Sequence, residues 1–236
     1  MKSDVWRHCS PSFMQEVRER VENVAESGYL TLPAPSCLSA HVKGFWLLES
    51  EDAIDFNGIA DVCQELVFNV SGSLKFISNS VDSDASKEDS HLIGGMSESL
   101  NMGSDCSCML FGIIFYPYSI KKLFGLEPKE IFGKVESVAD LPDFGLDALK
   151  EIVFNSPNYF DLYIHVCEYL YEQMFLKGRE LSADEKMLRQ LLLSHDFSTI
   201  TETLDGISLS ERQLARRIKE VSGVTPHKLK RIKRVL

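Results

Sequence analysis

The spacing of hydrophobic positions changes period along this chain. Over residues 11–26 (PSFMQEVRERVENVAE), Phe13, Val17, Val21 and Val24 recur at three- and four-residue steps, which predicts a helix with one buried face. Ser10 stands at the N-cap, Pro11 suits the first turn because its missing N–H costs nothing there, and Ser27-Gly28 closes the segment. From 29 to 115 the pattern is strand-like. Residues 42–48 (VKGFWLL) predict one strand and 64–70 (QELVFNV) another, with Leu66, Phe68 and Val70 on a shared face. Ser71-Gly72 reads as a turn that returns through 74–77 as the second arm of a hairpin. Residues 78–90 (SNSVDSDASKEDS) are polar and acidic and predict a loop. Strand character resumes at Leu92-Ile93 and over 109–115. Glycines 94, 95, 103 and 112 suggest bulges or tight corners, Gly94-Gly95 a bulge rather than a phosphate cradle.

Beyond residue 118 the period becomes helical. Short segments at 119–124 and 146–154 precede a strong helix over 158–177, which Gly178 stops. Its Tyr163, Val166, Leu170 and Met174 share a face that reads as core, with a dimer seam as the alternative. A further helix over 183–193 starts at Ser182, and Glu185 three residues on has the capping-box spacing.

Composition adds limits. Hydrophobic residues make up 44% and charged residues 25%, the balance of a globular protein with a real core. No apolar run approaches the roughly 20 residues of a spanning helix. The N-terminus, MKSDVWRHCSPSF, lacks the apolar stretch of a secretory signal, so a cytoplasmic protein is expected. The six cysteines are scattered and read as buried reduced thiols; Cys106 and Cys108 are the one close pair, too few for a zinc site. His8, His41, His91, His165, His195 and His227 are dispersed, so no metal and no cofactor are expected. No catalytic constellation is present, and an enzyme is not expected. Phe45 and Trp46 read as core, both with the option of lining a pocket in a barrel interior; Glu65, in an otherwise apolar strand, reads as satisfied or outward-facing, with an effector contact as the minority option.

Charge is distributed unevenly. Residues 207–236 hold nine Lys and Arg against two Glu, hence +7, so a chain of net −10 carries −17 in the rest. A basic block on an acidic protein is the footprint of a surface that meets phosphate. With Ser210 as N-cap, a helix to about Ser222 buries Leu214, Ile218 and Val221 and turns Arg212, Arg216 and Lys219 outward, with Gln213 beside them. Arg can bind guanine O6 and N7 in bidentate fashion, and Gln can do the same at adenine. Gly223 ends this helix, and Thr225-Pro226 opens another that carries Lys228, Lys230, Arg231, Lys233 and Arg234, placed for backbone contacts. Upstream, 197–204 would be a supporting helix and 205–208 a turn, the helix-turn-helix arrangement.

The stretch LSERQLARRIKEVSGVTP resembles the first helix-turn-helix of the AraC/XylS regulators, matching at Ser210, Arg212, Leu214, Arg216, Gly223 and Pro226, with Ile218 where Phe is usual. More loosely, LPAPSCLSAHVKGFWLLES, ADVCQELVFNV and FGIIFYPYSIKKLFGLEPKEIFGKVESVADL are similar to the β-rich domain of one subgroup, keeping Glu65-Leu66 and Pro117. The resemblance implies an α+β chain: an N-terminal helix (1–28), a cupin-like β-barrel that senses or dimerises (29–141), connecting helices (142–180) and a partial helix-turn-helix region (181–236). It implies double-stranded DNA as partner and leaves room for a small-molecule effector and a homodimer. Arg212, Gln213 and Arg216 would read bases; Arg217, Lys219, Lys228 and Lys230 would hold phosphates, on a helix capped by Ser210. Ser208 stands where the family often has Gly. The family's second helix-turn-helix would follow Leu236, so the expectation is a truncation, natural or otherwise. The alternative is a dimerisation or ligand-binding protein without independent DNA binding.

Overall fold

The computed structural model describes residues 6, 9–23, 28–77, 82–83, 89–142, 145–178, 180–193 and 210–233. The expected supporting helix at 197–204, the turn at 205–208, most of the 78–90 loop, Val24, His8, His195 and Arg234 lie outside them.

Among the described residues, ten strands form two antiparallel sheets. They are β1 (Tyr29–Pro33), β2 (Val42–Ser50), β3 (Ile54–Gly58), β4 (Gln64–Ser71), β5 (Lys75–Ile77), β6 (Asp82–Ser83), β7 (Ser90–Ile93), β8 (Leu100–Ser104), β9 (Cys108–Phe115) and β10 (Val135–Ser137). The larger sheet runs β1-β2-β9-β4-β7-β10 and the smaller β3-β8-β5-β6. The predicted hairpin across Ser71-Gly72 does not form. β4 lies between β9 and β7, whereas β5 pairs with β8 and β6. The reason lies in the apolar faces of β4. Leu66 and Phe68 pack with the helices, and Val67 packs with the second sheet. A strand that is apolar on both faces needs a layer on each side, which an isolated hairpin lacks. Gly72, at φ +88°, turns the chain out of one sheet toward the other; a Cβ there would sit 2.2 Å from the Ser107 carbonyl oxygen.

Glycines within and beside the strands serve close approach. Gly112 faces Trp46 across the β2–β9 pair, and a Cβ on it would lie 2.0 Å from the indole. At Gly94 a Cβ would lie 1.7 Å from the Ile131 carbonyl oxygen. The register shifts fall elsewhere, at 42/44 in β2 and 69/71 in β4. Of the bulges or tight corners expected at Gly94, Gly95, Gly103 and Gly112, the bulges are corrected; Gly94 and Gly95 follow the end of β7.

The helical layer begins with α1 (Pro11–Glu22), where the Ser10 hydroxyl accepts the Phe13 N–H at 3.1 Å. After β9 come α2 (Pro117–Phe124), the single turn α3 (Pro128–Ile131), a 3-10 turn (Val138–Asp140), α4 (Leu146–Asn155) and α5 (Tyr159–Lys177). α5 buries Leu162, Tyr163, Val166, Cys167, Leu170 and Met174 against the larger sheet. The Tyr163 ring meets Phe45 edge-on at 5.2 Å, and its hydroxyl donates to the Pro33 carbonyl at 2.7 Å. This face is core rather than a dimer seam, at about 1.5–3 kcal/mol of stabilisation per fully buried large side chain.

α6 (Ala183–Leu193), α7 (Glu211–Ser222) and α8 (Pro226–Lys233) complete the described chain. Met187, Leu188, Leu191, Leu214, Ile218, Leu229 and Ile232 form a core with Ala60, Val62, Tyr116 and Tyr118. The fold is thus α+β, a β-rich N-terminal part of antiparallel sheets followed by helices. No helix among the described residues is long and apolar enough to cross a membrane.

Candidate nucleic-acid interface

α7 is positioned from both ends. The Ser210 hydroxyl accepts the Gln213 N–H at 3.3 Å, and the Gln213 side-chain oxygen accepts the Ser210 N–H at 3.0 Å, a complete capping box. At the other end Gly223 adopts φ +79°, and its N–H donates to the Lys219 carbonyl at 2.9 Å. A Cβ on Gly223 would lie 2.8 Å from the Pro128 carbonyl oxygen, so α7 ends directly against α3. Thr225 caps α8, its hydroxyl accepting the Lys228 N–H at 3.3 Å.

Between these ends α7 has two faces. Leu214 and Ile218 are buried and Val221 is half-buried. Arg212, Gln213, Arg216, Lys219 and Glu220 are exposed. Arg216 reaches Glu220 one turn on at 3.8 Å, with the two side chains 71% and 61% exposed. Such a surface pair is worth about 0–1 kcal/mol and yields readily to another partner. Gln213 is more constrained: its oxygen also accepts the Ser210 hydroxyl at 3.1 Å, so its own cap engages the acceptor that adenine N6 would need.

The remaining cations point partly inward. Arg217, half-buried, pairs with Asp184 of α6 at 3.1 Å. The Lys228 ammonium lies 4.4 Å from the centroid of the Phe132 ring. Lys230 is half-buried, while Arg231 is exposed. Lys233 donates to the Leu191 carbonyl at 2.5 Å, and burial lowers its pKa. Helical spacing therefore brings Arg212, Arg216 and Lys219 onto one open ridge, with Gln213 at its rim. Arg217 and Lys228 sit against the protein's own body.

A concave feature lies at the mouth between the two sheets, a cavity of about 500 Å³ bordered by Tyr29, Trp46, Phe56, Asp61 and Glu65 among others. Trp46 stands between Tyr29 and Phe56, with ring centroids 6.2 Å and 6.4 Å away. The outward-facing reading of Glu65 is corrected here. Its carboxylate faces this space and accepts the Trp46 indole N–H at 3.3 Å. Burial raises its pKa from an ordinary 4.5 to about 6; the Trp46 bond opposes the shift, Asp61 adds to it and Lys43 opposes it. Lys43 pairs with Asp61 at 2.7 Å. Sequence reading marked Trp46 and Glu65 but missed Tyr29, Lys43, Phe56 and Asp61, whose convergence depends on strand pairing.

Among the described residues no group of His, Cys, Asp and Glu could hold a metal ion. Cys63, Cys108 and Cys167 are buried thiols as expected, Cys9 and Cys37 are half-buried, and Cys106 is exposed, departing from that expectation.

Residues 30–137 match the family model described as a domain of unknown function, DUF6597. No curated protein matches the sequence. Among solved structures the chain is similar to ToxT from Vibrio cholerae, at 14% identity over 88% of this chain and 80% of that one, with a TM-score of 0.41. ToxT from the same organism bound to (E)-4-(8-methylnaphthalen-1-yl)but-3-enoic acid aligns at 14% identity over 80% and 79% of the two chains, TM-score 0.40. The AraC-like transcriptional activator CuxR aligns at 11% identity over 91% and 83%, TM-score 0.32. Likeness at this level leaves function to be argued from the residues.

Proposed function

We propose that this chain is a sequence-specific, DNA-binding transcriptional regulator of the AraC type, with residues 181–236 facing DNA and the β-rich part, 29–141, sensing a small molecule or pairing two copies. The observation that carries this reading is the open cationic ridge of α7, opposite a buried apolar stripe, on an otherwise acidic chain. Arg212 and Arg216 read base edges in the major groove, each through a bidentate contact to guanine. Gln213 assists where its amide nitrogen can donate. Lys219 holds phosphate as it stands; Arg217, Lys228 and Lys230 do so once drawn from their present surroundings.

One helix-turn-helix unit buries roughly 600–1,000 Å² on DNA, so binding through α7 alone is weak. Its logarithm falls with that of salt by about 0.9 per phosphate contacted. The test selects a site from random duplexes, then measures fluorescence anisotropy at two salt concentrations. Arg212→Ala and Arg216→Ala are expected to lose about 1–3 kcal/mol of discrimination at one or two base pairs each. Parental affinity and selectivity in both variants would refute the role of α7. A second reading, a dimerisation or ligand-binding protein without independent DNA binding, draws on the cations held inward at Arg217 and Lys228. It predicts no selected site and no salt-dependent complex.

A further inference from the structure

The mouth between the sheets has a definite chemical character. Three aromatic rings, Tyr29, Trp46 and Phe56, stand in a row along it. Glu65 lies with them, and the Trp46 indole is its one hydrogen-bond donor among the described residues. The nearby ammonium of Lys43 is already matched by Asp61 at 2.7 Å. The cavity thus presents aromatic faces and one carboxylate, Glu65, that forms no ion pair among the described residues, Lys43 acting on it only at a distance. Aromatic faces attract cations through the ring quadrupole, and a buried carboxylate gains most from a charge that replaces the water it has lost. An anion would meet Glu65 and find Lys43 taken. A neutral apolar guest would cover the carboxylate and supply no donor. The volume, about 500 Å³, suits a guest of drug-like size.

We propose that this mouth binds a small organic cation, a primary or quaternary ammonium on an aromatic or branched apolar body. The ammonium lies against Glu65, and the body stacks along Tyr29, Trp46 and Phe56. The site stands independently of DNA recognition; where the regulator reading holds, the cation is its effector. A route between the two exists in residues 59–63. Ile59 and Asp61 line the cavity, whereas Ala60, Val62 and Cys63 belong to the core shared with α6, α7 and α8. Asp61 fixes this segment, its carboxylate accepting the Val62 N–H at 2.7 Å and the Cys63 N–H at 3.3 Å. A guest that shifts Asp61 therefore shifts the floor beneath the DNA-facing helices.

The test needs no DNA. Full-length protein carrying Trp6→Phe, so that Trp46 is the sole indole, is titrated with phenethylammonium and benzyltrimethylammonium, and in parallel with 3-phenylpropionate and 3-phenylpropanol. Saturable changes in emission are expected for both cations, with Kd at least about tenfold below that of the propionate. Glu65→Gln, checked as folded by its thermal midpoint, weakens the cations at least about tenfold and leaves the alcohol unchanged. Phe56→Leu weakens them several-fold and serves if the first variant fails to fold. Equal or tighter binding of the propionate, undiminished cation binding by folded variants, or no saturation by about 10 mM would overturn the proposal. Failure here leaves the DNA reading intact, and a failed DNA titration leaves this result intact.

Discussion

Glu65 shows how one residue ties stability to pH. Its pKa rises from 4.5 to about 6, chiefly because burial penalises the charged form. The folded state therefore holds this proton more tightly than the unfolded chain does. The resulting stabilisation is full below pH 4.5 and is lost as pH rises through about 6. At 1.36 kcal/mol per unit, the upper bound is about 2 kcal/mol. Urea unfolding of the parent and of Glu65→Gln from pH 4.5 to 7 is expected to show the parent losing stability relative to the variant across that window; parallel curves would exclude the effect. Gly112 makes a different point. A methyl group there would meet the Trp46 indole at 2.0 Å, and backbone pairing holds both residues. Gly112→Ala is expected to cost about 1–3 kcal/mol in urea. Combined with Trp46→Leu, which removes the ring, the two costs should fall short of additive. The sequence marked this glycine as special but could not reveal why, because its neighbour sits on another strand.

Elements whose signals are local were legible; those defined by distant partners were not. Ser10 with Pro11, Ser182 with Glu185, and Ser210 all begin helices where the sequence placed them, since each capping bond spans three residues; the part of Gln213 in the Ser210 cap went unread, its side chain having been assigned to bases. The open ridge of α7 was legible for the same reason: a 3.6-residue period decides which side chains share a face. The hairpin through Ser71-Gly72 failed because turn residues report a bend and not the strand beyond it. The cavity was legible only as options at Trp46 and Glu65, because its walls come from six strands, β1, β2, β3, β4, β8 and β9, that only the sheet pairing brings together. The cap of α7 also yields a prediction. Ser210→Ala removes the acceptor for the Gln213 N–H, and helix caps of this kind contribute about 0.5–2 kcal/mol. Hydrogen exchange should quicken at the first amides of α7 while those of α5 keep their protection. Unchanged exchange at Gln213 would show that the hydroxyl contributes nothing there.

At the scale of the whole molecule, the described helices α6 to α8 do not have a core to themselves. Leu188 and Leu191 of α6 and Ile218 of α7 share theirs with Val62, Tyr116 and Tyr118 of the β-rich part. Polar contacts cross the same boundary: an Arg189 guanidinium nitrogen donates to the Ser39 carbonyl at 3.2 Å, and its charge faces the Tyr116 ring at 5.7 Å. Helices joined to sheets through one buried cluster should unfold with them, because exposing either side uncovers the other's apolar surface. Leu188 is fully buried in that cluster. Leu188→Ala is expected to cost about 2–5 kcal/mol. The manner of loss is the sharper test. Both tryptophans lie away from α6 to α8, Trp46 between the sheets and Trp6 bonded to Glu168 of α5. Tryptophan emission therefore follows the β-rich part and α5, and ellipticity at 222 nm (a standard helix wavelength) adds the C-terminal helices. If the shared core couples the halves, the substitution moves both urea transitions by the same amount. If only the ellipticity transition moves, the C-terminal helices dock and release on their own, and a guest at residues 59–63 would act on a loosely held partner instead of through a common core.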